Sequence, residues 1–121
     1  MQWKEMTARA RGDIIVIDLR GNMCLCGEDE LPTFVSDLLE QGFLKFILNL
    51  RELPSIDSGG LSGIVRAYTA VTRRGGRLGL LHVQPRIRGL LEITKLTSFF
   101  EAFDSEDEAL QTFGGSLPSM S

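Results

Sequence analysis

The middle of the chain changes its hydrophobic period within about ten residues, and this change constrains the fold most. From Leu44 to Leu50 every second residue is apolar, which predicts a strand with one buried side formed by Leu44, Phe46, Leu48 and Leu50. After Pro54 the apolar residues recur every three or four positions as far as Arg74, which predicts an amphipathic helix. The expected inner face of that helix comprises Leu61, Ile64, Val65, Tyr68 and Val71.

The loop between this strand and this helix holds the first candidate site. Asp57 or Ser58 is expected to cap the helix, and Gly59 and Gly60 are expected to keep its first turn narrow and open. The free N–H groups and the dipole of a helix N-terminus favour an anion such as phosphate. In α/β proteins this loop lies outside the carboxyl end of the sheet, where sites are usually found, so Ser58 is a candidate for modification.

The rest of the chain alternates strand and helix patterns. Strands are expected within residues 1–10, with Trp3 and Met6 as core contacts, and over 13–20, 77–83 and 99–103. Helices are expected over 28–41, 85–96 and 106–113. Helices between strands imply parallel pairing, whereas the first two strands suggest an antiparallel edge. We therefore predict an α/β fold with a mixed β-sheet of about five strands and about four α-helices.

The length fits a single domain, which we place at residues 1–114, followed by a flexible tail over 115–121. The net charge of −3 provides no overall basic field for nucleic acid, so we expect no nucleic-acid partner. No apolar run approaches the length needed to cross a bilayer, and the N-terminus lacks a secretory signal pattern. We expect a cytoplasmic location without membrane insertion.

Three other chemistries were weighed on their motifs. Cys24 and Cys26 are more simply explained as two ordinary buried thiols than as a metal or redox site, because zinc needs four ligands and His82 is the only histidine. A hydrolase pairing Ser58 with His82 lacks the Gly-x-Ser-x-Gly elbow. Gly59-Gly60 is too short for a nucleotide-binding glycine loop, so no cofactor is expected.

The segment Ile47-Leu-Asn-Leu50 followed by Ile56-Asp-Ser-Gly-Gly-Leu-Ser-Gly63 resembles the strand, loop and helix of STAS domains, in particular those of bacterial anti-sigma-factor antagonists. The double glycine at 75–76, the helix pattern at 85–96 and the start of the last helix at 105–110 resemble the same family, so the likeness covers roughly residues 5 to 114. In that family the serine directly after the aspartate is phosphorylated by a partner kinase, and the matching position is Ser58.

The resemblance implies a regulatory protein without catalytic activity. Its partner would be an anti-sigma factor with serine kinase activity, docking on Asp57, Ser58, Gly59, Gly60, Ser62, Arg66 and Thr69. Two positions depart from the family pattern: Gly59 stands where many antagonists carry a second hydroxyl, and Cys24 stands where many carry an aspartate. A structural STAS subunit of a signalling scaffold or of a membrane transporter, without a phospho-switch, is the alternative. Formation of a homodimer is also compatible with the sequence.

The charges are distributed unevenly. Basic residues concentrate between positions 66 and 88, and acidic residues crowd positions 101 to 108. This pattern is typical of two solvated faces, and the alternative is complementarity to a charged partner, which would speed encounter.

Overall fold

The computed structural model of the chain describes residues 4–21, 30–53, 56 and 58–114. Five strands and four helices follow one another in the described part. They are β1 Lys4–Arg11, β2 Ile14–Gly21, α1 Glu30–Glu40, β3 Lys45–Glu52, α2 Ser58–Arg73, β4 Arg77–Leu81, α3 Pro85–Ile93, β5 Glu101–Phe103 and α4 Glu106–Gly114. The predicted α/β fold with a mixed sheet is confirmed. The predictions for Trp3, Cys24, Cys26 and the 115–121 tail lie outside the described residues.

The five strands form one sheet in the order β1-β2-β3-β4-β5. β1 pairs antiparallel with β2, and every later neighbour pairs in parallel. A two-residue turn at Gly12 and Asp13 joins β1 to β2, which is possible because antiparallel strands need no crossover. The parallel strands all end at one edge of the sheet, called the carboxyl edge below.

Helices cover both faces of the sheet unequally. On one face α1, α2 and α3 pack against alternate residues of the strands and form the larger core cluster, which includes Ile17, Phe46, Leu48, Ile64 and Leu80. On the other face α4 alone packs through Ala109 and Phe113. Its smaller cluster takes in Ile14, Val16, Ile47, Leu81 and Phe103.

The central strand β3 is buried on both faces rather than on one. Phe46, Leu48 and Leu50 face the three helices as predicted, but Ile47 is also fully buried because α4 covers the opposite face. Leu44, predicted inside, is 42% exposed. It lies just before the strand begins, so the alternation that holds within β3 does not apply to it.

Two residues with positive φ end elements earlier than the hydrophobic pattern predicts. His82 has φ 56°, and β4 ends at Leu81 rather than at residue 83, so Val83 lies outside the strand and packs against the larger cluster. Lys95 has φ 62°, and α3 ends at Ile93 rather than at 96. Thr94 is exposed and donates a hydrogen bond to the carbonyl oxygen of Leu90.

The turn between α2 and β4 brings two backbone segments very close together. Gly75 has φ 80°, a conformation that favours glycine. A methyl group on Gly76 would overlap the carbonyl oxygen of Leu44 and lie 2.9 Å from Val71 Cγ1. The Leu44 carbonyl also accepts a hydrogen bond of 2.8 Å from the Arg77 amide, so it is fixed in place.

We therefore predict that Gly76→Ala lowers the free energy of unfolding by about 1–3 kcal/mol, because the methyl meets rigid backbone rather than a flexible side chain. Gly89→Ala is the matched control: nothing lies within 4 Å of its added methyl, inside α3. This control is expected to stabilise by about 0.5–1 kcal/mol through helix propensity. Urea denaturation measures both, and equal effects of the two substitutions would contradict the close approach at Gly76.

Candidate docking site

The strand-to-helix junction predicted from the sequence lies at the carboxyl edge of the sheet. β3 ends at Glu52, and α2 begins at Ser58 on the same edge and runs for 16 residues. The N–H groups in the first turn of a helix have no partner within the helix itself, and the positive end of the helix dipole lies there. The backbone of Ser58 therefore occupies a position that accommodates an anion. Asp57 and the side chain of Ser58 lie outside the described residues, so which of them caps the helix stays a prediction.

Gly59 and Gly60 are buried in the first turn of α2. This corrects the expectation that they leave the turn open to an approaching molecule. Because glycine has no side chain, the turn can pack closely against the protein and the two backbones are covered. A partner at this junction would meet the residues around the glycines rather than the glycines themselves.

The predicted polar stripe of α2 is only partly exposed. Arg66 is exposed, whereas Ser62 and Thr69 are half-buried. The Thr69 hydroxyl donates to the carbonyl oxygen of Val65 at 3.0 Å, within the helix. The opposite stripe is buried as predicted at Leu61, Ile64 and Val71, and it includes Ala67, which the pattern analysis did not select. The amphipathic character of α2 is thus confirmed, and among Ser62, Arg66 and Thr69 the side chain of Arg66 is the most accessible.

A hydrogen-bonded network that the sequence analysis missed fixes the strand ends at the carboxyl edge. Asn49 Nδ2 donates to Asp18 Oδ1 at 2.7 Å, and Asn49 Oδ1 accepts from the Arg51 amide at 3.1 Å. Gln84 Nε2 donates to the Arg51 carbonyl oxygen at 2.6 Å, which ties the loop after β4 to the end of β3. The available signal was a polar residue ending each apolar alternation, Asp18 after Val16 and Asn49 after Ile47.

Arg9 connects this network to α4. Its guanidinium donates to Asp18 Oδ2 at 2.6 Å and to Glu106 Oε1 at 2.9 Å, and Arg11 donates to Glu106 Oε2 at 2.6 Å. The hydrogen bonds with Asp18 and Glu106 raise the pKa of Arg9. The edge strand β1 is thereby held to β2 and to the first turn of the helix on that face.

The same contacts shift both carboxylates. Burial alone would raise the pKa of Asp18, but the hydrogen bonds from Arg9 and Asn49 outweigh it and hold that pKa below its ordinary value. The hydrogen bond from Arg9 lowers the pKa of Glu106 against the opposing effect of burial. Both groups are therefore ionised at neutral pH and stabilise the fold in that form.

His82 is half-buried directly after β4, and its amide donates to the Phe103 carbonyl oxygen at 3.1 Å. Its backbone thus joins the ends of β4 and β5, which is a structural role. In the described ranges no three histidine, cysteine, aspartate or glutamate side chains form a group that could hold a metal ion. Within those ranges, too, no helix is both long and apolar enough to cross a bilayer.

The family model for the STAS domain matches residues 5–109 of this chain. A Thermotoga neapolitana protein with the provisional name of anti-sigma factor antagonist is 33% identical over 79 residues, which are 65% of this chain and 70% of that protein. The anti-sigma F factor antagonist of Paenibacillus polymyxa is 31% identical over 64 residues, 53% of this chain and 55% of that protein. The alignment thus spans about half of the Paenibacillus protein.

Solved structures show the same architecture. The anti-sigma factor antagonist SpoIIAA in its unphosphorylated form superposes with a TM-score of 0.79 at 21% identity, covering 92% of this chain and 97% of SpoIIAA. The phosphorylated form of Bacillus SpoIIAA gives a TM-score of 0.70 at 22% identity, covering 89% and 98% of the two chains. At these identities the likeness concerns the fold.

We predict that Arg9→Gln lowers the free energy of unfolding by about 1 kcal/mol at pH 7, a value kept small because the guanidinium is partly exposed and screened. The two carboxylates have lowered pKa values in the folded state. Their stabilisation is therefore complete above the unfolded pKa of about 4 and is lost as the pH falls through the folded values.

The difference in the free energy of unfolding between wild type and Arg9→Gln should consequently become smaller below about pH 4. Urea denaturation at pH 7 and pH 3 measures it. Arg11→Gln is the control, because Arg11 contacts Glu106 alone and is more exposed, and its expected loss is at most about 0.5 kcal/mol. A difference for Arg9→Gln that persists undiminished at pH 3 would exclude the ionised network as its source.

Proposed function

We propose that this chain, which belongs to the STAS domain family, is an anti-sigma-factor antagonist. It docks on an anti-sigma factor and thereby releases the sigma factor that the anti-sigma factor holds. The names of the Thermotoga and Paenibacillus relatives support this role. The observation that carries it is the position of Ser58 as the first residue of α2 at the carboxyl edge.

The proposed docking surface begins at Asp57 and Ser58 and continues along the outer stripe of α2 through Ser62, Arg66 and Thr69. The exposure of Arg66 supports it, because a partner can reach this side chain without any change in the fold. The inner stripe of α2 is buried in the larger core, so the helix presents its outer stripe in a fixed orientation. Preorganised surfaces of this kind lose little conformational entropy on binding.

The proposed switch is phosphorylation of Ser58 by a partner with serine kinase activity. The serine oxygen would attack the γ-phosphorus of ATP, its proton would be lost, and ADP would leave. The product carries about −1.5 to −2 charge at pH 7 and three acceptor oxygens. The fold tolerates this anion because it lies at a helix N-terminus. That SpoIIAA, a protein of the same fold, is known in unphosphorylated and phosphorylated forms supports the idea.

The change in binding free energy that a switch requires is modest. A hundredfold loss of affinity corresponds to about 2.7 kcal/mol. One uncompensated charge buried in an interface costs about 3–5 kcal/mol. A phosphate placed beside Asp57, at the centre of the contact, therefore suffices to release the partner by charge repulsion and desolvation.

We expect Ser58→Ala to retain binding to the anti-sigma factor and Ser58→Asp to lose roughly hundredfold in affinity, as measured by titration calorimetry with the purified partner. Ser105→Asp is the matched control. Ser105 Oγ accepts a hydrogen bond from the Glu108 amide at the start of α4, so this variant also adds one charge at a helix N-terminus, but on the opposite face of the sheet. It should bind like wild type.

Mass spectrometry after incubation with the partner and ATP should locate the phosphate on Ser58 and find none in Ser58→Ala. Equal affinities of the alanine and aspartate variants would contradict the electrostatic switch. That result would instead indicate a constitutive structural STAS subunit.

A further inference from the structure

A groove runs along α2 beside the segment that connects α3 to β5. We call it the α2 groove, and its first part has a volume of about 170 Å³ and is lined by Val65, Tyr68, Thr69, Leu96, Phe99 and Phe100. A second part of about 320 Å³ continues past Tyr68 and Phe99 towards Gly76 and Arg77. The aromatic ring of Tyr68 packs edge-on against Phe100 at 5.0 Å between centroids, which fixes the floor.

Large apolar side chains are exposed to solvent in the wall opposite α2 and just before it in the chain. Phe99 is 55% exposed and Ile93, at the end of α3, is 80% exposed. Together with Leu44 they are the large hydrophobic residues left exposed in the part of the chain that the structure describes. Two of the three thus lie within one stretch of seven residues. Exposed apolar side chains that are grouped beside a groove are typical of a protein interaction site.

The size of the groove indicates what occupies it. Pockets for small ligands usually measure about 300–1,000 Å³ and enclose most of the ligand. The first part of the α2 groove is smaller and open, so it suits a single leucine or phenylalanine side chain of a peptide. Val65 and Thr72 mark the two ends on α2, a separation of about 10 Å along the helix axis. Two turns of a peptide helix span this length.

The charges around the groove indicate the sign of its occupant. On α2, Arg66 and Arg73 lie three residues before and four residues after Thr69, so they flank it on the same stripe. Lys95, next in the chain to Leu96 of the opposite wall, is exposed. Neither α2 nor residues 93–100 contains a single aspartate or glutamate. At the far end of the groove Glu101 is paired with Arg77 at 2.7 Å, so that carboxylate is already neutralised.

We propose that the α2 groove docks an acidic segment of a partner protein, which inserts an apolar side chain between Tyr68 and Phe99 and places carboxylates against Arg66, Arg73 and Lys95. The whole chain carries a net charge of −3, so this local excess of cations is opposite in sign to the rest of the surface. This inference rests on the proposed function in one respect only, the identity of the partner as an anti-sigma factor.

Three synthetic twelve-residue peptides test the chemistry, each titrated into ¹⁵N-labelled protein and followed by NMR. The first carries glutamates with leucine and phenylalanine at helical spacing, the second replaces the glutamates by lysine, and the third replaces the apolar residues by alanine. The first peptide should bind with its largest shifts in α2 and residues 93–100. The second and third should bind at least tenfold more weakly, and binding of the first should weaken as salt increases.

Variants test the location. Phe99→Ala and Arg73→Glu should each reduce affinity for the first peptide at least tenfold. Leu44→Ala and Arg86→Glu are matched controls, an exposed apolar residue and an exposed cation that do not line the groove, and they should bind like wild type. Equal binding of the acidic and basic peptides, or shifts centred elsewhere, would overturn the proposal. A dimer in sedimentation that Phe99→Ala dissociates would overturn it too, since a second copy would then fill the groove.

The Ser58→Asp variant separates this inference from the proposed function. Ser58 and Arg66, the nearer of the two groove cations on α2, are eight residues apart, about 12 Å along the axis, which exceeds the screening length of about 8 Å at physiological salt. The variant should therefore keep its affinity for the first peptide within about twofold. If the groove variants bind the first peptide like wild type, the groove proposal is wrong and the switch is unaffected. If Ser58→Asp binds the anti-sigma factor like wild type, the switch proposal is wrong and the groove is unaffected.

Discussion

Burial of β3 on both of its faces is the constraint on which the rest of the structure depends. Phe46 and Leu48 contact the layer of three helices, and Ile47 contacts the face covered by α4. A strand packed in this way must lie inside the sheet, with neighbours on each side, and it must leave the sheet at the carboxyl edge. The start of α2 is therefore held in place by the most deeply buried part of the chain.

The face of the sheet that α4 covers is stabilised by hydrophobic contact over one part and by polar contacts over another. α4 is nine residues long and covers Ile14, Val16 and Ile47, whereas the next positions along the same strands are Asp18 and Asn49. Apolar residues there would lie in water beyond the end of the helix. Asp18 and Asn49 instead form a hydrogen bond with each other, and Asp18 accepts another from Arg9. Through Arg9, these bonds connect the edge strand and α4 at the point where the hydrophobic contact ends.

Periodicity predicted every element in the described part and the mixed sheet, because a buried strand or an amphipathic helix imposes its period on the sequence. It failed at Leu44, at Val83 and at the end of α3. These errors come from the backbone conformations of single residues, His82 and Lys95, and from where a strand begins. The His82 amide bonds to Phe103, more than twenty residues away, and no local pattern contains that contact. The candidate site was predicted in part: the helix start and its outer stripe followed from the pattern, but the burial of Gly59 and Gly60 and the partial burial of Thr69 depend on distant segments.

The proposed phosphorylation site and the α2 groove lie at different places on one helix, and this separation has a consequence for control. The N-terminal turn of α2 accommodates an anion, whereas the α2 groove begins at Val65, about 10 Å further along the helix axis, and its nearest flanking cation, Arg66, is about 12 Å away. At physiological salt a charge added at the first place is largely screened at the second. Phosphate on Ser58 would then remove the binding energy of the contact around Ser58 and leave that of the α2 groove. Release would require only that the remaining contact be weak on its own, which is what a shallow groove with a single apolar anchor provides.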